Sequence, residues 1–191
     1  MNDSFYSISV FCDLRRSTVW QTSDYESQRM SIVLLQDFDG MINAVFTGGH
    51  IRFLGDGFFI LFRVYQPDEY ADSAKVMIMN RIQDADGKFN ALRRDHARLD
   101  PKCEALKLGW GAACGIIDSF KLSREWGFTG PSINLARRCC DASRPDGIVL
   151  DYDSFLWESD RAKQMGLCES QRQLKDFDGW RRVYCAQSNE G

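Results

Sequence analysis

Two carboxylates, Asp13 and Asp56, stand where this chain could hold a divalent cation. Asp13 follows the apolar run Phe5 to Cys12, in Phe11-Cys12-Asp13-Leu14-Arg15-Arg16-Ser17-Thr18. Asp56 lies in Gly55-Asp56-Gly57, between the runs His50 to Leu54 and Phe58 to Arg63. Runs crowded with apolar and β-branched residues predict strands, and Gly-Asp-Gly between two of them predicts a β-hairpin. The carboxylates are then expected at a strand end and a hairpin tip, held stiffly and open to solvent. Brought together, two such groups repel unless a cation lies between them. Mg²⁺ suits the pair, because it takes one or two carboxylates and completes its shell with water and substrate phosphates. Taken singly, Gly-Asp-Gly is ordinary turn chemistry, and Asp13 could equally cap a helix or join a salt bridge.

The elements that must position these residues are legible in outline. Ser27 to Phe46 carries apolar residues at helical spacing, and Gly48-Gly49 ends it. Asp68 to Arg94 predicts a second helix with a break at Gly87. Ala105 to Ile117 predicts a third strand, and Pro131 to Ala142 a helix entered through a Gly-Pro turn. Gly147 to Leu150 and Arg182 to Ala186 are expected as later strands. Helices and strands alternate irregularly and the hairpin demands antiparallel pairing. The expected class is α+β, with helices packed on a mostly antiparallel sheet.

Composition bounds the function classes. The 191 residues read as one domain, with 44% hydrophobic and 27% charged residues, enough for a core without staples. The net charge of −3 gives no global case for nucleic acid or an anionic membrane. Neither a signal peptide nor a run of about 18 apolar residues is read, which points to a cytoplasmic protein. Seven cysteines with no CxxC pair argue against a disulfide framework or zinc ribbon. They are expected as reduced, mostly packed thiols. His50 and His96 are each expected in structural roles.

Five motifs together resemble the class III adenylate and guanylate cyclases. Val10 to Thr18 resembles the family's first metal motif, and Gly48 to Gly57 its metal hairpin. Leu108-Gly109-Trp110-Gly111-Ala112-Ala113-Cys114-Gly115 is similar to its central glycine-containing strand. Gly130-Pro131-Ser132-Ile133-Asn134-Leu135-Ala136-Arg137-Arg138 is similar to its Gly-x-x-Val-Asn-x-Ala-x-Arg helix. Leu174-Lys175-Asp176-Phe177, with Val183-Tyr184, resembles its last hairpin. The motifs occur in family order over residues 4–186.

The resemblance implies a ferredoxin-like, palm-type domain acting on a ribonucleoside triphosphate. It implies that Asp13 and Asp56 bind two Mg²⁺ or Mn²⁺ ions, with the Leu14 carbonyl as a further ligand. Asn134 would orient the ribose, and Arg138, one turn on, would stabilise the transferring phosphoryl group. In the family those two residues come from the opposite subunit, so a homodimer with shared sites is expected. The turn after Asp13 would cradle phosphates, and Lys175, Arg181 or Arg182 would meet the triphosphate, or else be solvated residues of an edge hairpin.

Base choice departs from the family. Adenylate cyclases carry Lys three residues before the hairpin glycine and Asp or Thr seven before the helix Asn. Guanylate cyclases tend to carry Glu and Cys. Here Arg52 and Gly127 stand at those positions, or Trp126 or Phe128 if a one-residue gap intervenes. Arg52 has only donors, which suit the carbonyl oxygens of uracil. The chain looks like the small pyrimidine cyclases of bacterial Pycsar anti-phage systems, and UTP with cyclic UMP as product is the favoured expectation. The alternatives are an adenylate cyclase making cyclic AMP, an inactive nucleotide-binding domain of the same fold, and a palm-type polymerase relative, which the Asn134/Arg138 helix disfavours.

Overall fold

The computed structural model describes residues 3–65, 67–145 and 147–186. The order is β1 (Asp3–Arg15), α1 (Ser17–Gln21), α2 (Tyr25–Val45), β2 (His50–Phe53), β3 (Gly57–Arg63) and α3 (Pro67–Ala97). After a 3₁₀ turn at Pro101–Ala105 come β4 (Lys107–Lys121), β5 (Trp126–Thr129), α4 (Pro131–Ala142) and β6 (Gly147–Asp151). The chain continues through α5 (Tyr152–Phe155), α6 (Ser159–Gln164), β7 (Cys168–Gln173) and β8 (Trp180–Ala186). The strands form one sheet in the order β2-β3-β1-β4-β6-β8-β7, with β5 also on β4. Of the described pairings, β4 with β6 is parallel and the rest are antiparallel. The expected α+β class therefore holds.

Strand periodicity explains the two layers. Ile8, Val10, Cys12 and Leu14 of β1 alternate onto one face, where they meet Leu34, Phe38 and Ile42 of α2 and Ile78, Ile82 and Phe89 of α3. Phe11 points to the other face and packs with Phe59, Ala113, Ala136 and Cys140 beneath α4. His96 of α3 sits 2.9 Å from the Asp37 carboxylate of α2, a structural role linking those two helices.

Two expectations are corrected. α3 runs unbroken through Gly87. A lone helical glycine costs only about 1 kcal/mol, which the buried face of so long a helix offsets. β1 also extends to Arg15, so Asp13 lies inside a paired strand, opposite Gly57 on one side and Gly109 on the other. The thiols behave as expected: all seven cysteines are free, and Cys168 is exposed. Burial pushes the Cys114 and Cys140 thiols up to about 12, which keeps them protonated.

One glycine sets the position of α4. A Cβ on Gly111 of β4 would collide with the Cys140 nitrogen and the Ala136 carbonyl, so helix backbone rests directly on strand backbone. Gly111→Ala is expected to destabilise the fold by about 1–3 kcal/mol, read by urea titration, because overpacking there displaces the whole helix. An unchanged midpoint would show that α4 is not seated in this way.

Candidate active site

The β2–β3 turn carries Asp56 onto the end of β1. Gly55 at φ 101° takes a backbone conformation that glycine adopts without strain. The Leu54 N–H donates to the Gly57 carbonyl at 2.8 Å and closes the turn. The Leu14 N–H donates to the Asp56 carbonyl at 2.8 Å and ties the turn to β1. Ser17, buried at the start of α1, donates its hydroxyl to the Asp56 carboxylate at 2.7 Å. The Asp13 carboxylate beside it is about one-third exposed. Burial raises its pKa, the Arg15 guanidinium opposes that, and the neighbouring Asp56 charge raises it further.

Arg15 is the neighbour that sequence reasoning did not single out. Its guanidinium is buried and pairs with Asp13. From there it reaches the end of α4, donating to the Cys140 carbonyl and, at 3.0 Å, to the Ser143 hydroxyl. Gly109 makes room for it, since a Cβ there would strike the guanidinium. The alternative reading of Asp13 as an ion-pair partner is thus realised too. A carboxylate with several lone pairs can serve Arg15 and a metal together.

Two cavities meet at the carboxylate pair. One, of about 400 Å³, runs past Arg16, Ser17, Thr18 and Val19. The other, of about 440 Å³, runs past Leu54, Gly57, Arg137 and Asp141. The residues that line both are Asp13, Asp56 and Arg144.

The remaining expected residues line neither cavity. Asn134 is exposed on α4 and lines neither cavity. Arg138, on the same helix, pairs with Asp176 and, at 3.2 Å, with Asp141. Lys175 is exposed in the turn between β7 and β8. Arg181 lies 3.6 Å from Asp151 and 3.7 Å from Asp153, and Arg182 lies 3.2 Å from Glu169 with its guanidinium over the Tyr152 ring. Arg52 pairs with Glu125 at 2.9 Å and donates to the Trp126 carbonyl at 3.0 Å, so the fold does bring it to the start of β5. Gly127 is buried, and a Cβ on it would meet the Phe120 ring at 2.5 Å. The space beside Gly127 is therefore filled by Phe120.

No family model and no curated protein matches the sequence. Solved structures do. The adenylyl cyclase CyaB from P. aeruginosa superposes with a TM-score of 0.75 at 18% identity, over 100% of this chain and 98% of that one. The guanylyl cyclase Cya2 gives 0.71 at 19%, over 98% and 95%. The non-canonical dimeric guanylyl cyclase domain of the RhoGC fusion protein from the aquatic fungus Blastocladiella emersonii gives 0.67 at 17%, over 96% and 97%. The chain has the class III cyclase fold.

In this cyclase fold the Asp13–Asp56 pair fits a hard divalent ion. The donors on offer are one carboxylate on β1, one in the β2–β3 turn, and the Leu14 main chain. No group of three or more His, Cys, Asp or Glu poised for a metal occurs among the described residues. That donor set suits an ion that keeps water and phosphate in its shell better than it suits a protein-caged zinc. No helix among the described residues is long and apolar enough to cross a membrane.

Proposed function

We propose that the chain is a nucleotide cyclase, converting a ribonucleoside triphosphate to a 3′,5′-cyclic monophosphate and pyrophosphate. The observation that carries this reading is the Asp13–Asp56 pair at the junction of two open cavities, on the class III cyclase fold. The ribose 3′-oxygen bonds to the α-phosphorus, the bridging bond to the β-phosphate breaks, and the hydroxyl proton passes to water. Bound Mg²⁺ or Mn²⁺ would lower the hydroxyl pKa and neutralise the leaving phosphates. Asn134 would orient the ribose and Arg138 would stabilise charge on the phosphoryl group. Neither lines the cavities that meet at the carboxylates of its own chain. That separation supports a homodimer in which each copy completes the other's site. Arg138 then exchanges its bonds to Asp141 and Asp176 for substrate.

Base choice rests on Arg52. Glu125 and the Trp126 carbonyl hold its guanidinium, so its remaining donors are fixed in direction. Donors without acceptors favour uracil, which supports UTP as substrate and cyclic UMP as product. The resemblance to the Pycsar cyclases supports a role for that product in antiviral defence. Cyclisation of ATP is the second reading, favoured by the likeness to an adenylyl cyclase. Incubation with Mn²⁺ or Mg²⁺ and each of the four ribonucleotides, read by mass spectrometry, separates them. Cyclic UMP is the expected dominant product. Cyclic AMP as the dominant product would overturn the pyrimidine reading, and no cyclic product with or without phage lysate would overturn the enzyme reading.

A further inference from the structure

We infer that Arg144, in the turn after α4, binds the triphosphate of the substrate in the same subunit that supplies Asp13 and Asp56. The inference rests on the cyclase reading and names a residue of the site that neither the motifs nor the spacing pointed to. Two observations carry it. Arg144 is the one cationic residue lining both cavities that meet at the carboxylate pair. It is exposed, and no hydrogen bond or ion pair engages it among the described residues.

Charge balance gives that guanidinium a task. Two divalent ions set against two carboxylates and a nucleoside triphosphate leave net negative charge at the site. An unpaired guanidinium beside it offers the planar fork that phosphate oxygens accept in pairs. The basic residues favoured earlier are less available. Arg181 and Arg182 are held by carboxylates, and Lys175 lines neither cavity. Arg15 is also committed, since Asp13, Cys140 and Ser143 hold its two terminal nitrogens. Arg137 lines only the second cavity.

The test compares Arg144→Ala and Arg144→Lys with the unaltered protein. Arg144→Ala is expected to raise KM for the preferred triphosphate by about ten-fold or more, with a smaller change in kcat. It should weaken competition by inorganic tripolyphosphate, measured with Mn²⁺ present, by a similar factor. Arg144→Lys should recover part of both, since it keeps the charge but not the fork. Calorimetric binding of tripolyphosphate reads the same effect without turnover. Mixing subunits then assigns the residue to its half of the site. Arg144→Ala mixed with Arg138→Ala should regain sites with the parent KM, whereas Arg144→Ala mixed with Asp56→Ala should show only the raised KM. Unchanged KM and tripolyphosphate affinity in Arg144→Ala would overturn the inference, as would recovery of the parent KM with Asp56→Ala. Failure of the unaltered protein to cyclise any nucleotide strikes the cyclase reading instead.

Discussion

Asp56→Ala should abolish cyclisation, with a loss of about a thousand-fold or more, while the protein stays folded. Losing one of two carboxylates removes several kcal/mol of charge stabilisation, and each tenfold in rate corresponds to about 1.4 kcal/mol. The fold should tolerate the change, because Asp56 sits in a turn whose closing bonds run through main-chain atoms of Leu14, Leu54 and Gly57. One side-chain bond is lost, that from the buried Ser17 hydroxyl. An unpaired buried hydroxyl costs about 1–3 kcal/mol, so Asp56→Asn is the matched variant. Its amide oxygen can still accept from Ser17, yet it carries no charge. Both variants should lose Mn²⁺ binding by paramagnetic resonance, and Asp56→Asn should melt within a few degrees of the parent. Turnover surviving in Asp56→Asn would mean the metals are held elsewhere.

The second large effect is a recovery. Asp56→Ala and Arg138→Ala should each be inactive alone, and an equal mixture of the two subunits should regain about a quarter of the parent activity. Random pairing puts about half of the dimers in the mixed state, and each of those has one intact site of two. Arg138→Ala releases the carboxylates of Asp141 and Asp176, which are exposed enough that losing these pairs costs little stability. Asp56→Ala mixed with Asp13→Ala is the control and should stay inactive, since both lesions fall in the same half-site. A silent Asp56/Arg138 mixture, with dimers verified by sedimentation, would show that each chain completes its own site.

The sequence carried the strands around Asp13 and Asp56 clearly because β1 and β3 are buried on both faces and so read as apolar runs, and their turn needs glycine. Helix α4 was legible to the residue, since Pro131 opens it and its apolar face has helical spacing. Elements that bury little were not. β7 reads Cys-Glu-Ser-Gln-Arg-Gln and is mostly exposed at the sheet edge, so no apolar alternation marks it. β5 is four residues long, and α1, α5 and α6 are single turns or little more, below the length where periodicity can be counted. At the site, motif spacing pointed to residues that repeat a pattern. Arg15 and Arg144 act through the folded juxtaposition of β1, β4 and the end of α4, and nothing in local spacing encodes that. Gly127 shows the converse. Its motif position placed it at the base-choice site, but what lies beside it is set by Phe120, seven residues upstream and directly across the β4–β5 pairing.

The backbone contact at Gly111 has a mechanical consequence. Packed side chains between a helix and a sheet act as a bearing, because rotamer changes let one slide over the other by an ångström or two. Between α4 and β4 that layer is missing where Gly111 meets Ala136 and Cys140, and Arg15 bolts the far end of the helix to β1. α4 is therefore stiffly coupled to the strands that carry Asp13. In the proposed homodimer, a stroke that closes a shared cleft would then swing each subunit as one lever about the interface, so that tightening one cleft would displace the helix that serves the other.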